Sequence, residues 1–383
     1  MAGAGDFAHS ARSPPPLPLA GRSSRSHEGG LGRAGTVTQI QSPLLRPSMV
    51  AVAVANKLRH RNVWQQGNKT TQVPVRVVAR PYSYSQIPSK SIFDLARNEF
   101  RCLKRKDLIE TLAKKIPAGS IRFGCHIVAI HEDPDTHGAV LTSVDGSTIR
   151  AKVLIGCDGT NSVVAKYLGL SVPKTFPITV LRGFTRYQHG HPFETEFLRL
   201  REDDFFLGRM PITDNMVHFF VGMLNASQGS TTDYESAVKD LALQKLKELP
   251  TEVADMIRDS EPGSLNVVTK LWYRPLCQVA FGAFQKGAVT VAGDAMHAIG
   301  PFIGQGGAAG LEDAVVFARA LSRADAEYIT ERRLRVTRLS LESFAVGVLM
   351  HTKLSVAKLA CKAILALLGT HSLGHTNYDC GRL

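Results

Sequence analysis

The chain has 383 residues, 44% hydrophobic and 21% charged, which gives ample material for a globular core of two to three domains or one large cofactor-binding unit. Its six cysteines (Cys102, Cys125, Cys157, Cys277, Cys361 and Cys380) form no CxxC pair and no His/Cys cluster, which argues against a disulfide framework or a metal site and fits a reducing compartment. The net charge of +13 gathers in residues 51–125, where fifteen Lys/Arg face four Asp/Glu; lacking interleaved aromatics, this reads as a solvated basic face or a field for an anionic cofactor or substrate, not a nucleic-acid surface.

Residues 1–50 contain Pro14, Pro15 and Pro16, runs of Ser and Gly, five Arg, no Lys, and only Asp6 and Glu28 as acids. This composition cannot bury a core and predicts disorder. An Arg- and Ser-rich, acid-poor start resembles an organelle transit peptide, which points to a plastid; an unrelated leader is the alternative. From Ala51 the pattern becomes globular. Residues 49–59 read as a helix, 98–103 as a strand, and 107–116 as a helix ended by Pro117 and Gly119. Strands follow at 121–131, 139–144 and 149–156, then a short helix at 160–168. Residues 178–224 alternate as antiparallel strands do, helices follow at 232–248 and 251–259, and strand signals return at 265–273. Residues 288–292 form a short, wholly apolar run of the kind buried on both faces of a parallel sheet. Helices fill 307–321 and much of the remainder. No apolar run reaches the ~18 residues of a membrane-spanning helix. The best candidate, 354–368, is interrupted by Lys358 and Lys362 and reads as an amphipathic helix. Packing on the core is its simpler reading, and peripheral membrane contact the other.

The most informative stretch is VTVAGDAMHAIGPFIGQGGAAGLEDAVV, residues 289–316. A buried strand ends in Gly293 and Asp294, a loop crosses Pro301, and Gly304, Gln305, Gly306 and Gly307 open a helix. The chemistry suits a dinucleotide: a carboxylate at a strand end accepts from ribose hydroxyls, glycines admit a close ligand, and free amides at a helix N-terminus attract anionic oxygens. A second stretch, VLIGCDGTNSVVAKYLGL (153–170), runs an apolar strand into Asp158 and Gly159 and then into a helix capped by Thr160 or Asn161.

The first stretch resembles the GD motif, GDAxHxxxPxxGQGxN, of FAD-dependent group A monooxygenases, a family that includes para-hydroxybenzoate hydroxylase, salicylate hydroxylase and zeaxanthin epoxidase. Asp294, His297, Pro301 and Gln305 match it; Ala308 replaces the usual Asn, and Ala298 the frequent Pro. The second resembles the family's DG motif, whose Asp is associated with FAD and the reduced nicotinamide. Arg105, in Arg105-Lys106-Asp107-Leu108, resembles the R-x-x-L arginine that reaches the flavin pyrophosphate, a role that suits a guanidinium fork. The ending HTNYDCGRL is similar to plant members related to zeaxanthin epoxidase, and the likeness spans roughly 51–383.

The resemblance implies an α/β FAD-binding domain (51–175 and 279–323), an inserted antiparallel substrate domain (176–278) and C-terminal helices (324–383). It implies FAD and NAD(P)H as cofactors, with O2 and an aromatic or isoprenoid small molecule as substrates. One oxygen atom would be inserted through a flavin C4a-hydroperoxide. Arg105 would meet pyrophosphate, Asp294 ribose and Asp158 both cofactors; Pro301 and the 304–308 backbone would line the flavin, and Gly159 and Gly293 would belong to the cofactor-binding set. His297 is expected to be structural, no residue stands out as a catalytic base, and the substrate lining around 182–187 and 205–220 carries no motif. An FAD reductase is a competing activity, against which His297 and Pro301 argue.

The family's opening βαβ unit with GxGxxG is not recognisable. Gly30, Gly32 and Gly35 satisfy the spacing, but the preceding residues are polar, no helix-forming run follows, and no acid occurs from Leu31 to Phe93 to serve the ribose. A truncated, catalytically defective homologue acting as a binding or vestigial protein, one that binds FAD weakly or not at all and oxidises little NAD(P)H, is therefore the alternative function.

Overall fold

The unbroken apolar run near residue 290 becomes strand β17 (Val289–Val291), buried throughout and paired in parallel with β8 (Val153–Cys157). In the computed structural model the described residues are 35–40, 51–56, 75–79, 105–194, 197–202, 204–224, 232–323, 327–368 and 378–381, all in one compact unit that starts at Ala34.

β8 and β17 belong to a six-stranded sheet in the order β16-β17-β8-β2-β1-β4, with β16 (Gln285–Lys286), β2 (Ala51–Asn56), β1 (Gly35–Ile40) and β4 (Ile121–Arg122). β2 lies parallel to β8, whereas β1 is antiparallel to both β2 and β4. Two expectations are corrected here. The helix expected over 49–59 is strand β2, whose Ala-Val-Ala-Val alternation suits a pleated strand. Residues 35–40, expected to be disordered, form β1, in a segment rich in β-branched residues. An antiparallel β1–β2 pair needs only a hairpin connection, so these strands are not a βαβ unit. Gly30 and Gly32 lie outside the described residues, as do the rest of the expected leader before residue 35 and the strand expected at 98–103.

Helix α1 (Arg105–Ala113) is followed by a meander of β5 (Ile127–Glu132), β6 (Ala139–Ser143) and β7 (Thr148–Ala151). The single strand expected over 149–156 is broken at Lys152 because its halves serve different sheets. β8 runs into helix α2 (Val163–Tyr167), and Gly156 lets them touch: a Cβ there would stand 2.5 Å from Val164 Cβ.

The second six-stranded sheet runs β14-β10-β13-β12-β11-β3. Its strands are β14 (Asn266–Val268), β10 (Ile178–Arg186), β13 (Met216–Leu224), β12 (Phe205–Thr213), β11 (Phe197–Arg201) and β3 (Val75–Ala79). All neighbours are antiparallel except β3 with β11. β3 comes from a segment expected in the first domain and instead extends this sheet. Strand periodicity gives the sheet two faces. Leu181, Leu207, Phe219 and Val221 pack under α3 (Thr232–Lys245) and α4 (Thr251–Arg258), which contribute Val238, Ala242, Val253 and Met256. The opposite face carries Arg182, Phe184, Phe206, His218 and Phe220. Its rings lie over cross-strand glycines: a Cβ on Gly208 would meet the Phe220 ring at 2.0 Å, and one on Gly222 the Phe206 ring at 2.0 Å.

The short pair β9 (Lys174–Phe176) and β15 (Leu271–Tyr273) and helix α5 (Leu276–Phe281) connect the sheets. Helices α6 (Gly306–Arg323), α7 (Glu327–His351) and α8 (Ser355–Leu367) complete the chain.

Candidate cofactor and substrate site

The DG and GD turns leave the C-terminal ends of β8 and β17, neighbouring parallel strands, where open α/β sheets place their ligands. The Ala292 amide donates to Gly156 O at 2.9 Å, tying the two turns together. Sequence and fold thus agree in bringing Asp158, Gly159, Gly293 and Asp294 to one edge.

Asp158 is buried, and its Oδ2 accepts from the Val163 amide at 2.7 Å. Ser162, rather than Thr160 or Asn161, is the N-cap of α2, its Oγ accepting from the Ala165 amide at 2.8 Å. Asp158 therefore helps to cap a helix, but its Oδ1 is buried without a partner. Burial raises its pKa against the opposing hydrogen bonds from Ser162 and Val163. An unsatisfied buried carboxylate oxygen is costly, and a ligand hydroxyl would relieve it. Gly159 next to it takes φ +80°, open to glycine at little cost.

At the second turn, Gly293 adopts φ +59° and opens a 3-10 turn, Gly293–Ala295. Asp294 stands exposed on it, with Oδ1 4.0 Å from where a Cβ on Gly306 would lie, close to the N-terminus of α6. A second 3-10 turn, Pro301–Ile303, ends in Gly304 at φ +68°. No neighbouring atom lies within 4 Å of a Cβ built on Gly304 or Gly307, so the packing of this protein does not itself require glycine at 307. The first-turn amides of α6, at Gly306, Gly307 and Ala308, have no carbonyl a turn earlier to bond. Gln305 is half-buried and Ala308 exposed, a methyl where the family pattern has an amide. Together with the Asp158 Oδ1 acceptor, these residues fit a dinucleotide.

His297 and several side chains that the sequence did not single out hold this loop. His297 is fully buried and meets Asp313 Oδ2 at 2.7 Å, the structural role expected of it. The same Asp313 oxygen accepts from the Gly293 amide at 2.7 Å, and Oδ1 accepts from Arg332 Nε at 2.7 Å. Burial alone would raise the pKa of Asp313, but His297, Arg332 and the Gly293 amide hold it below the usual carboxylate value. Arg332 donates onward to Ala309 O at 3.2 Å and Glu312 at 2.8 Å. Arg274 bonds Ala295 O at 3.0 Å, Arg199 bonds Phe302 O at 3.0 Å, and Ser343 Oγ donates to Gly300 O at 2.6 Å. These bonds hold the turn from the protein side.

Phe302 belongs to an apolar cluster with Phe176, against which Phe206 and Phe220 of the second sheet pack, so that sheet's aromatic face adjoins the GD loop. On it Phe184 stands opposite His218, ring centroids 5.0 Å apart, and Arg182 opposite Phe220. The Nδ1 of His218 lies 2.9 Å from Gly183 O; a carbonyl only accepts, so Nδ1 carries the proton and Nε2 is left as the acceptor. Burial first, and then the charge of Arg182, lowers the His218 pKa against that hydrogen bond. Arg182 is exposed, and its own pKa is lowered by the surrounding protein and then by Arg105. Arg105 is the first residue of α1 and exposed. Arg182 and His218 lie in the two stretches expected to line the substrate; no motif marks them there, and the strand register puts them on one face. A hollow of about 400 Å³ lined by Glu202, Asp204 and Lys245 lies elsewhere and includes none of these residues.

Residues 49–334 match the family described as FAD binding domain. Monooxygenase 1 of Arabidopsis thaliana is 41% identical over 307 residues, which are 75% of this chain and 77% of that protein. Monooxygenase 2 of the same plant is 36% identical over 62% of this chain and 58% of its own length. An FAD-dependent urate hydroxylase of Mycolicibacterium vanbaalenii is 30% identical over 56% of this chain and 53% of its own length. Among solved structures, Klebsiella pneumoniae HpxO complexed with FAD and uric acid aligns with a TM-score of 0.60 at 21% identity, over 74% of each chain. A salicylate hydroxylase substrate complex aligns at 0.57 and 22% identity, over 72% of this chain and 73% of that one. At these identities the structures speak for the fold alone. The chain belongs to the FAD binding domain family, that of the flavin-dependent monooxygenases and aromatic hydroxylases.

Proposed function

We propose that this protein inserts one atom of O2 into a phenol-like aromatic substrate: phenol, O2, NAD(P)H and a proton give the ring-hydroxylated product, water and NAD(P)+. The observation that carries the substrate class is His218 beside Arg182 on a phenyl-lined sheet face against the GD loop. Bound FAD, once reduced, supplies the activation of O2. The side chains of this chain do the rest. Phe184 and Phe220 receive the ring, neutral His218 accepts the hydroxyl proton at Nε2, and Arg182 steadies the phenolate, which is far more electron-rich than the phenol. Asp294 accepts from ribose, Asp158 Oδ1 takes a cofactor hydroxyl, and the amides of α6 and the Arg105 guanidinium face the phosphates. Relatives named as a urate hydroxylase and a salicylate hydroxylase support the reading.

The test is turnover of a phenol panel under isotopically labelled O2. One labelled oxygen per product, with matching NAD(P)H consumption, is expected; NAD(P)H oxidation that no phenol stimulates would rule the proposal out. Within the cofactor site, Asp294→Ala is expected to weaken FAD binding about ten- to hundredfold, the equivalent of ~1–3 kcal/mol for a lost hydrogen-bond acceptor. Flavin fluorescence titration checks this, and an unchanged affinity removes Asp294 from the site.

A second reading, a homologue that holds FAD weakly and does not turn over, is favoured by the antiparallel β1–β2 pair in place of a βαβ crossover. The absorbance spectrum of the purified protein separates the two. Flavin bands near one per chain support the enzyme, and their absence supports the homologue that does not turn over.

A further inference from the structure

Helix α8 has one buried residue, Cys361; Ala357, Lys358, Ile364 and Leu365 are half-buried and form the side turned toward the protein. Arg338 of α7 donates to Leu368 O at 2.6 Å, fastening its C-terminal end. The other side is apolar and bare. Leu354 is 71% exposed, Val356 81%, Leu359 69% and Leu367 88%, with Ala360 and Ala363 exposed between them. At 100° per residue, Leu359, Ala363, Val356, Leu367 and Ala360 sweep one continuous stripe; exposed Lys362 lies on its flank, and half-buried Lys358 stands one turn earlier at the edge of the side turned toward the protein. Lys353 precedes the helix, and no acid occurs from Thr352 through Leu368.

A helix side facing water is ordinarily polar, and an apolar stripe of this extent marks an interaction surface. The charge pattern selects the partner. Pairing with a second copy would bring lysine flanks together with no carboxylate on either helix to neutralise them. An anionic bilayer satisfies both features at once: the stripe enters the acyl boundary while the lysines meet lipid phosphates. Among the described residues no helix is long and apolar enough to cross a membrane, so α8 would lie on the surface. We infer that α8 docks this protein onto anionic lipid membranes. The inference is independent of the proposed reaction and of flavin content.

The experiment is co-sedimentation of the full chain with vesicles of phosphatidylcholine, alone or mixed with phosphatidylserine, alongside sedimentation velocity without lipid. The parent is expected to be monomeric and to pellet with the mixed vesicles. Removing each lysine should weaken partition about fivefold, ~1 kcal/mol per charge near the surface, so Lys358→Gln with Lys362→Gln should lose about twenty-five-fold at low salt. Leu359→Ser with Leu367→Ser should abolish pelleting at every salt concentration. Leu359, Lys362 and Leu367 are exposed and glutamine keeps most of the half-buried stem of Lys358, so the melting temperature should not move, and an unchanged melt assigns any loss to the surface itself. A parent that ignores both vesicle types overturns the inference. So does a parent that self-associates through α8 instead, or variants that pellet as the parent does.

Discussion

Asp313→Ala is expected to destabilise the fold by about 3–5 kcal/mol and to leave the purified protein depleted of flavin. Asp313 is fully buried, with His297 and the Gly293 amide on one oxygen and Arg332 on the other. Its removal strands the fully buried Arg332 with Glu312 as its remaining carboxylate, and breaking a buried pair costs more than the pair contributes because a charge is left uncompensated. The Gly293 amide loses its acceptor at the turn that presents Asp294, so cofactor affinity should fall with stability. Asp313→Asn separates the two effects: the amide oxygen can still accept from Gly293, but of its two carboxylates Arg332 keeps only Glu312. The sign of the pH dependence follows from the lowered Asp313 pKa. The ionised carboxylate stabilises the folded state at pH values above its unfolded pKa, and that contribution is lost as pH falls through the lower folded value. Acid unfolding should therefore be steeper in the parent than in Asp313→Asn. Denaturant midpoints followed by far-ultraviolet circular dichroism measure the loss, and a variant that unfolds at the parent midpoint would show that this network is not what fixes the GD loop.

The cofactor edge was legible in the sequence because its chemistry is local. Asp158, Gly159, Gly293, Asp294 and the 304–308 run each lie within a few residues of a strand end or a helix start, and backbone geometry alone brings them together. Asp313 was hidden although it lies inside the stretch that was read, since its partners His297 and Arg332 are 16 and 19 residues away and one sits on another helix. Arg182 and His218 fall within the two stretches expected to line the substrate, but nothing local singles them out or pairs them. They share a face only through the pairing of Phe184 with His218, and register is set by the whole sheet. β2 was misread because Ala favours helix as an isolated residue, and its neighbours β8 and β1 decide the matter. β3 joined the second sheet through a parallel pairing with β11 more than a hundred residues away, which no local pattern can announce.

His218→Gln is expected to lower turnover of a phenolic substrate about a hundred- to ten-thousandfold, the usual yield of a positioned general base. Glutamine can still offer an oxygen to the substrate hydroxyl, so binding should change little and the loss should appear in kcat rather than KM. Flavin content should stay at the parent level, because His218 lies on the substrate sheet and takes no part in the DG or GD turns. The pH profile gives the sharper reading. Burial and Arg182 lower the His218 pKa below the ordinary imidazole value of about 6.5. The neutral, proton-accepting form thus dominates at neutral pH, and parent kcat should fall on the acid side as Nε2 takes a proton. His218→Gln has no such group, and its residual rate should lack that acid limb. Arg182→Ala should behave differently: without its cation the phenolate is held less well, KM rises, and the His218 limb shifts upward because the neighbouring positive charge that lowered it is gone. A His218→Gln enzyme with the parent rate and the parent acid limb would place the proton acceptor elsewhere, and the choice of a phenol as substrate would lose its main support.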